Sequence, residues 1–283
     1  MSNAFDPHVI RRFESGELDL PLLPDLIAQL LAATQNPDTD IREMERLVCR
    51  DPALAAHVLR VANAPAFAGQ RQLTSIREAI TRIGTRALVR IAITARLSEL
   101  YFVPGFEGVS DNIWRHAQLS GIYAVELSRR LKTDAEQAFL CGLLHTIGQP
   151  VVLRTVVAVA AEMAVPLAVS DVQRWLDQWY IPVGTRLVQS WQLPKVIQAA
   201  VSFHHRPRMA TSHPREVQQT SLASTLARAQ TRDRSEQPEM VREHPAVASL
   251  ALEPGQLMTM LSKARLVQQA EALAARPAAD MAA

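Results

Sequence analysis

Signals that start helices recur along this chain, each ahead of apolar residues at helical spacing, and no stretch alternates in the manner of a strand. Asp40 with Glu43 resembles a capping box in front of Met44, Leu47 and Val48. Asp51-Pro52 offers an N-cap followed by a proline at the first helical position, and the helix it opens carries Leu54, Val58, Leu59 and Ala62. Ser75 with Glu78, and Thr133 with Glu136, are two further capping boxes. Glycine is scarce, at 10 of 283 residues, and aromatics make up only 5%, so the loops and flat packed faces that β-sheets need have little material. The pattern predicts an all-α fold.

The order of these signals divides the chain. Val103-Pro104-Gly105-Phe106-Glu107-Gly108 is the best boundary between two helical lobes, residues 1–104 and 105–275, with 276–283 a frayed tail. Before it, Gly84 separates two short helices. After it, spacing predicts a long helix over 111–131 and a second one ending at His145. Further helices are expected over 172–179, 183–191 and 195–205, with Pro182 and Pro194 near the starts of the last two. Residues 222–229 read as helix, 232–245 as a polar loop, and 256–273 as a last helix with Leu257, Met260, Leu261, Ala264 and Val267 on one face.

Composition excludes several functions. A formal net charge of +2 gives no strong field toward DNA or an anionic membrane. Arg82, Arg86 and Arg90, flanked by Arg77 and Arg96, read as a solvated basic face rather than a nucleic-acid site. Cys49 and Cys141 sit in apolar helical patterns and are expected to be buried free thiols in a reducing cytoplasm. Residues 1–13 are too polar for a signal peptide. Arg154, Glu162 and Pro166 interrupt the apolar run from Pro150, which reads as a buried helix.

The candidate chemistry lies with histidines. His145-Thr146-Ile147-Gly148 closes an apolar helix where an adjacent His-Asp pair would mark a metal-dependent phosphohydrolase. Threonine carries no charge and is a poor ligand for a hard divalent cation. His116 lies on the long helix, and His204-His205 ends another. Such helix-terminal histidines can converge on a metal, with at most one of His204 and His205 pointing inward. Taken singly, each is ordinary at a helix C-terminus, where the dipole and free carbonyls favour it. Two arrangements follow: a single zinc on His116, His145 and one of His204 or His205, or a network in which these residues and Thr146 hydrogen-bond one another.

A set of strings in fixed order gives a resemblance to a known family. They are Leu20-Pro21-Leu22-Leu23-Pro24, Asp51-Pro52-Ala53-Leu54, Val61-Ala62-Asn63-Ala64 and Ser75-Ile76-Arg77-Glu78-Ala79-Ile80. Trp114-Arg115-His116, Ala138 to His145, Trp191-Gln192-Leu193-Pro194 and His204-His205-Arg206-Pro207 continue the series. Together they resemble the HDOD family, an offshoot of the HD and HD-GYP hydrolases, from about Leu18 to about Leu261.

The resemblance implies a two-lobed helical bundle whose C-terminal lobe is built like an HD hydrolase. It also implies a bacterial, cytoplasmic regulator of motility, biofilm formation, stress responses or cyclic di-guanylate circuits, acting on protein partners. Against the hydrolases, the His-Asp pair is His145-Thr146, a later histidine is replaced by Tyr180, and the final Asp by Gln230. A two-metal site needs carboxylates to bridge and neutralise its cations. The positions His116, His145, Thr146, Tyr180, His204, His205 and Gln230 are therefore expected to be vestigial, with no metal, no cofactor and no catalytic residue. The alternatives are a divergent metal-dependent phosphohydrolase using the remaining histidines, or a module that binds a small nucleotide without cleaving it.

Overall fold

A computed structural model describes residues 5–15, 18–35, 40–65, 67, 71–230 and 237–274. Among the described residues there is no strand. The elements are α1 (Phe5–Glu14), α2 (Asp25–Gln35), α3 (Ile41–Cys49), α4 (Pro52–Ala62), α5 (Ile76–Ile83), α6 (Thr85–Tyr101), α7 (Glu107–Leu131), α8 (Ala135–Leu144), α9 (Gly148–Glu162), α10 (Val169–Ser190) and α11 (Lys195–Phe203). After a short 3₁₀ turn at Pro207–Met209 come α12 (Pro214–Ala229), α13 (Gln237–Arg242), α14 (Pro245–Ser249), α15 (Pro254–Leu261) and α16 (Ala264–Ala274). The fold is all-α.

The helix starts show which capping signals operate. Asp51 Oδ1 accepts from the Leu54 amide at 3.0 Å, and Ser75 Oγ from the Glu78 amide at 3.1 Å. At α3 the N-cap Asp40 makes no side-chain cap bond. At α8 the cap moves one residue, because Asp134 Oδ1 takes the Gln137 amide at 2.7 Å while Thr133 turns to Gln219 at 2.8 Å. Pro182 does not divide two helices: α10 runs through it for 22 residues. The residues read as a polar loop before Pro245 include α13, and the last predicted helix is two, α15 and α16. Gly84 does end α5, at φ +83°, but α6 after it is long, at 17 residues. Residues 231–236 and the tail 276–283 lie outside the described residues.

The chain forms two compact units, one from residues 1–22 and 100–260, the other from 23–99 with the chain from Leu261 onward. A single cut after residue 104 therefore does not describe it. The reason lies in α1, whose Phe13 stacks on Trp179 at 4.9 Å and whose Phe5 meets Trp175 edge-on at 6.4 Å. Arg12–Glu162 and Arg174–Asp6 ion pairs flank these rings, and Trp191 Nε1 donates to the Pro21 carbonyl at 2.7 Å.

In the smaller unit Leu73 packs with Ala62 and Ala79. Asn63 stitches the loop between α4 and α5 to the end of α4. Its Nδ2 donates to Leu59 and Leu73 carbonyls at 3.0 Å, and its Oδ1 accepts from the Leu73 amide at 2.8 Å. Arg77 pairs with Glu45, and Arg96 with Asp51 and Glu99, so part of the basic face is neutralised. Cys49, expected to be buried, is exposed: it follows the buried Val48 at the last position of α3 and so lies about 100° around the helix from it. Cys141 is buried.

In the larger unit α7 packs along α8 and α12, α9 along α10, and α11 against α8, α10 and α12. Two close approaches set this packing. A Cβ on Gly142 of α8 would come within 2.6 Å of the Ser120 carbonyl on α7. One on Gly148 would come within 1.9 Å of the Tyr180 carbonyl on α10. The apolar run Ala135–Glu162 passes for a membrane span by length and composition, but the turn at 145–147 breaks it into α8 and α9. Leu143, Leu144, Val152, Leu153 and Val156 of that run are buried in the core.

Candidate functional site: a histidine cavity among helix ends

The larger unit holds a cavity of about 900 Å³ whose floor is made of imidazoles. α7 contributes His116, the C-cap of α8 is His145, and the C-cap of α11 is His204. All three reach the same place because glycine lets α8 lie directly against α7, and α11 packs on α8.

The hydrogen bonds fix the tautomers. His145 Nδ1 lies 2.7 Å from the Gly142 carbonyl and must donate to it, which leaves Nε2 as an acceptor. Ser224 of α12 stands 3.1 Å from that Nε2 and 3.2 Å from Nε2 of His116, with the two imidazole nitrogens 3.3 Å apart. The serine hydroxyl thus donates to His145 and accepts from His116. His204 Nδ1 donates to the Ala200 and Val201 carbonyls at 3.1 Å, and its Nε2 accepts from the Tyr180 hydroxyl at 3.1 Å. The His145 and His204 rings meet edge-on at 4.8 Å.

The electrostatics keep these rings neutral. Burial, reinforced by Arg228 and His204, holds His116 at about 3. Burial and the neighbouring imidazoles push His145 and His204 well below the ordinary histidine range. His244, the N-cap of α14, is held at about 4 by burial and by Arg228, and lies 3.1 Å from Ser221.

The other residues picked from the sequence fall differently. Of the adjacent pair, His204 is buried and His205 exposed at the rim. Thr146 lines the cavity but joins none of the histidine hydrogen bonds; it sits beside the Tyr101 hydroxyl, which donates to the Leu143 carbonyl at 3.3 Å. Gln230 is not in the cavity. Its Oε1 accepts from Tyr123 at 2.8 Å, six residues and about 9 Å along α12 from Ser224, the residue that α12 does place on the histidine pair.

Several cavity residues carried no motif. Ser221, Ser224, Thr225 and Arg228 line one face of α12 at spacings of three, four and seven, a polar stripe on a helix whose Leu222, Ala223 and Leu226 are buried. Arg115 and Asn112 rise from α7, and Gln149 from the start of α9. Asp177 is the cavity's one carboxylate among the described residues, and Gln173 donates to it at 2.8 Å.

The HDOD domain sequence model matches residues 20–207, two thirds of the chain. The chain belongs to the HDOD family. An HDOD domain protein of unknown function from Geobacter sulfurreducens has the same fold, with TM-score 0.74 and 20% identity over 94% of this chain and 96% of that one. A Shewanella amazonensis protein whose name proposes a phosphohydrolase aligns at TM-score 0.70 and 23% identity, covering 94% and 97%. A Marinobacter aquaeolei protein whose name proposes a signal-transduction role aligns at TM-score 0.68 and 20% identity, covering 95% and 63%. An uncharacterised Treponema pallidum protein is 26% identical over 196 residues, and the matched region spans 38% of its length.

The HDOD cavity does not fit the metal centre of a hydrolase. His116, His145 and His204 are neighbours, but among the described residues no group of three or more histidine, cysteine, aspartate or glutamate side chains is arranged so that it could hold a metal ion. The nitrogens that would face a cation are engaged by Ser224 and Tyr180. Neutral imidazoles alone leave the two divalent charges of a two-metal centre unbalanced.

Proposed function

We propose that this HDOD protein is a non-enzymatic regulator in bacterial signal transduction, acting in the cytoplasm through protein contacts. The observation that carries the reading is the closed ring of His116, Ser224 and His145. A hydrolase keeps such nitrogens open toward metal and water; here a serine hydroxyl satisfies both. The family's association with motility, biofilm formation, stress and cyclic di-guanylate circuits supplies the cellular setting.

The test is elemental analysis of the purified protein together with phosphodiesterase assays on bis(p-nitrophenyl) phosphate in the presence of manganese, magnesium or zinc. The expected result is substoichiometric metal and no turnover above buffer. Stoichiometric metal, with turnover abolished by His145→Ala, would establish the divergent phosphohydrolase instead.

A further inference from the structure

Acids make up 28 of the chain's 283 residues, yet none falls between 178 and 215, a stretch that holds Arg186, Lys195, Arg206, Arg208 and Arg215. Within it, Arg206 leads into the 3₁₀ turn Pro207–Met209, which packs on α12. The Arg206 amide donates to the Phe203 carbonyl and the Met209 amide to the Arg206 carbonyl, both at 2.9 Å, so the turn is tied down at each end. With three residues per turn, Arg206 and Met209 share one side, and Arg208 stands next to them. Burial agrees: Pro207 is turned in, whereas Arg206, Arg208 and Met209 are exposed, Met209 by 65%. Neither guanidinium has an ion pair or a side-chain hydrogen bond among the described residues. The carboxylates that bound the acid-free stretch are engaged elsewhere: Asp177 accepts from Gln173 at 2.8 Å, and Glu216 acts on the buried Cys141. Residues 231–236 carry two arginines, one aspartate and one glutamate, and so bring no net charge. His205 registers the uncompensated cation, because burial and then the charge of Arg206 lower its pKa.

Two unpaired arginines beside an exposed methionine suit a protein partner. Arginine and methionine are both enriched where proteins meet, and a guanidinium fork matches a carboxylate. A surface for single-stranded nucleic acid adds aromatic rings on which bases stack, and the exposed large apolar side chains among the described residues, Leu22, Ile41, Val169 and Met209, include none. Recruitment to an anionic bilayer takes a cluster of roughly four to eight basic residues. We propose that Arg206, Arg208 and Met209 form a docking face for an acidic segment of a partner protein, with carboxylates on the guanidiniums and an apolar side chain on the methionine. This gives the regulatory reading its partner chemistry and rests on that reading's claim that the protein works through protein contacts.

The experiment is fluorescence anisotropy of the full chain with a labelled peptide of repeated Glu-Leu-Glu units. The same peptide with lysine in place of glutamate, a single-stranded DNA oligonucleotide and phosphatidylglycerol vesicles are run beside it. Each is repeated on Arg206→Gln, Arg208→Gln, Met209→Ala and Arg86→Gln, the last an exposed cation of α6 that serves as the charge-matched control. Melting curves of each variant confirm folding. The expected result is saturable binding of the glutamate peptide that weakens as salt rises, and none of the lysine peptide. Arg206→Gln, Arg208→Gln and Met209→Ala should each lower affinity about twofold to fivefold, and Arg86→Gln should leave it unchanged. No saturable binding of the glutamate peptide, unchanged affinity in any of the first three variants when folded, or an equal loss in Arg86→Gln would overturn the proposal. DNA or vesicle binding tighter than that of the peptide, and lost in Arg206→Gln, would assign the face to that other class and overturn it as well. All of these leave the non-enzymatic reading standing, whereas stoichiometric metal with turnover overturns that reading and leaves peptide binding as it is.

Discussion

The Tyr180 hydroxyl stands 3.1 Å from Nε2 of His204, in the place where an open imidazole would face a ligand. Burial raises the tyrosine above its ordinary range and pushes the histidine well below its own, so at neutral pH the phenol is the donor and the imidazole the acceptor. Tyr180→Phe keeps the ring and removes the donor, leaving a buried nitrogen unpaired. The variant should lose about 1–2 kcal/mol in urea denaturation. A Tyr180→Phe protein as stable as the parent would show that the bond contributes nothing.

Gly148 prepares that tyrosine's position. Its backbone lies so close to the Tyr180 carbonyl that no side chain fits, and Gly184 crosses at the same point. Gly148→Ala must therefore push α9 from α10. We expect a loss of about 3 kcal/mol or more, read as a lower denaturation midpoint, because backbone offers no rotamer by which to yield. An alanine at Gly108, where an added Cβ meets nothing within 4 Å among the described residues, is the control and should leave the midpoint close to that of the parent.

The same two residues mark what the sequence could convey. The string His145 to Gly148 reads as the end of a helix, and α8 does end at Leu144, with a turn at 145–147 before α9. The capping signals at Asp51 and Ser75 are local, depend only on residues three apart, and operate as read. Thr133 misleads because its hydroxyl has a better partner in Gln219, distant in sequence. Pro182 misleads because packing against α9 holds α10 continuous where local preference would interrupt it. Ser224 and Arg228 stayed hidden for a related reason. Their polar stripe is visible at helical spacing, but only the docking of α12 on α7 says that it faces histidines rather than solvent.

Gln118 offers a test of the core. It is 1% exposed on α7, and among the described residues neither its amide nitrogen nor its carbonyl oxygen has a hydrogen-bond partner. Burying both atoms unpaired costs stability, and methionine has nearly the same length and flexibility without either group. Gln118→Met should raise the denaturation midpoint, by about 1 kcal/mol or more in stability. A fall instead would mean that the amide is satisfied in solution.

The buried histidines make stability fall in acid. Unfolded, each titrates near the ordinary 6.5; folded, His116 is held at about 3, and His57 and His244 at about 4. Above pH 6.5 neither state takes a proton, so these groups contribute nothing to the pH dependence. Below it the unfolded chain binds protons that the native state refuses, and stability drops as pH falls toward the folded values. Between pH 6.5 and 5 each such group removes up to about 2 kcal/mol. The carboxylates whose folded values are lowered, Asp6 by its bond to Arg174 and Glu78 by its bonds to Thr74, lose stability only below about pH 4, so the two windows separate. Urea midpoints measured from pH 7.5 to 5 should decline, and the slope should shrink by about one proton in His116→Gln. A flat profile over pH 5–6.5 would require histidines that are charged, or solvated, in the folded state.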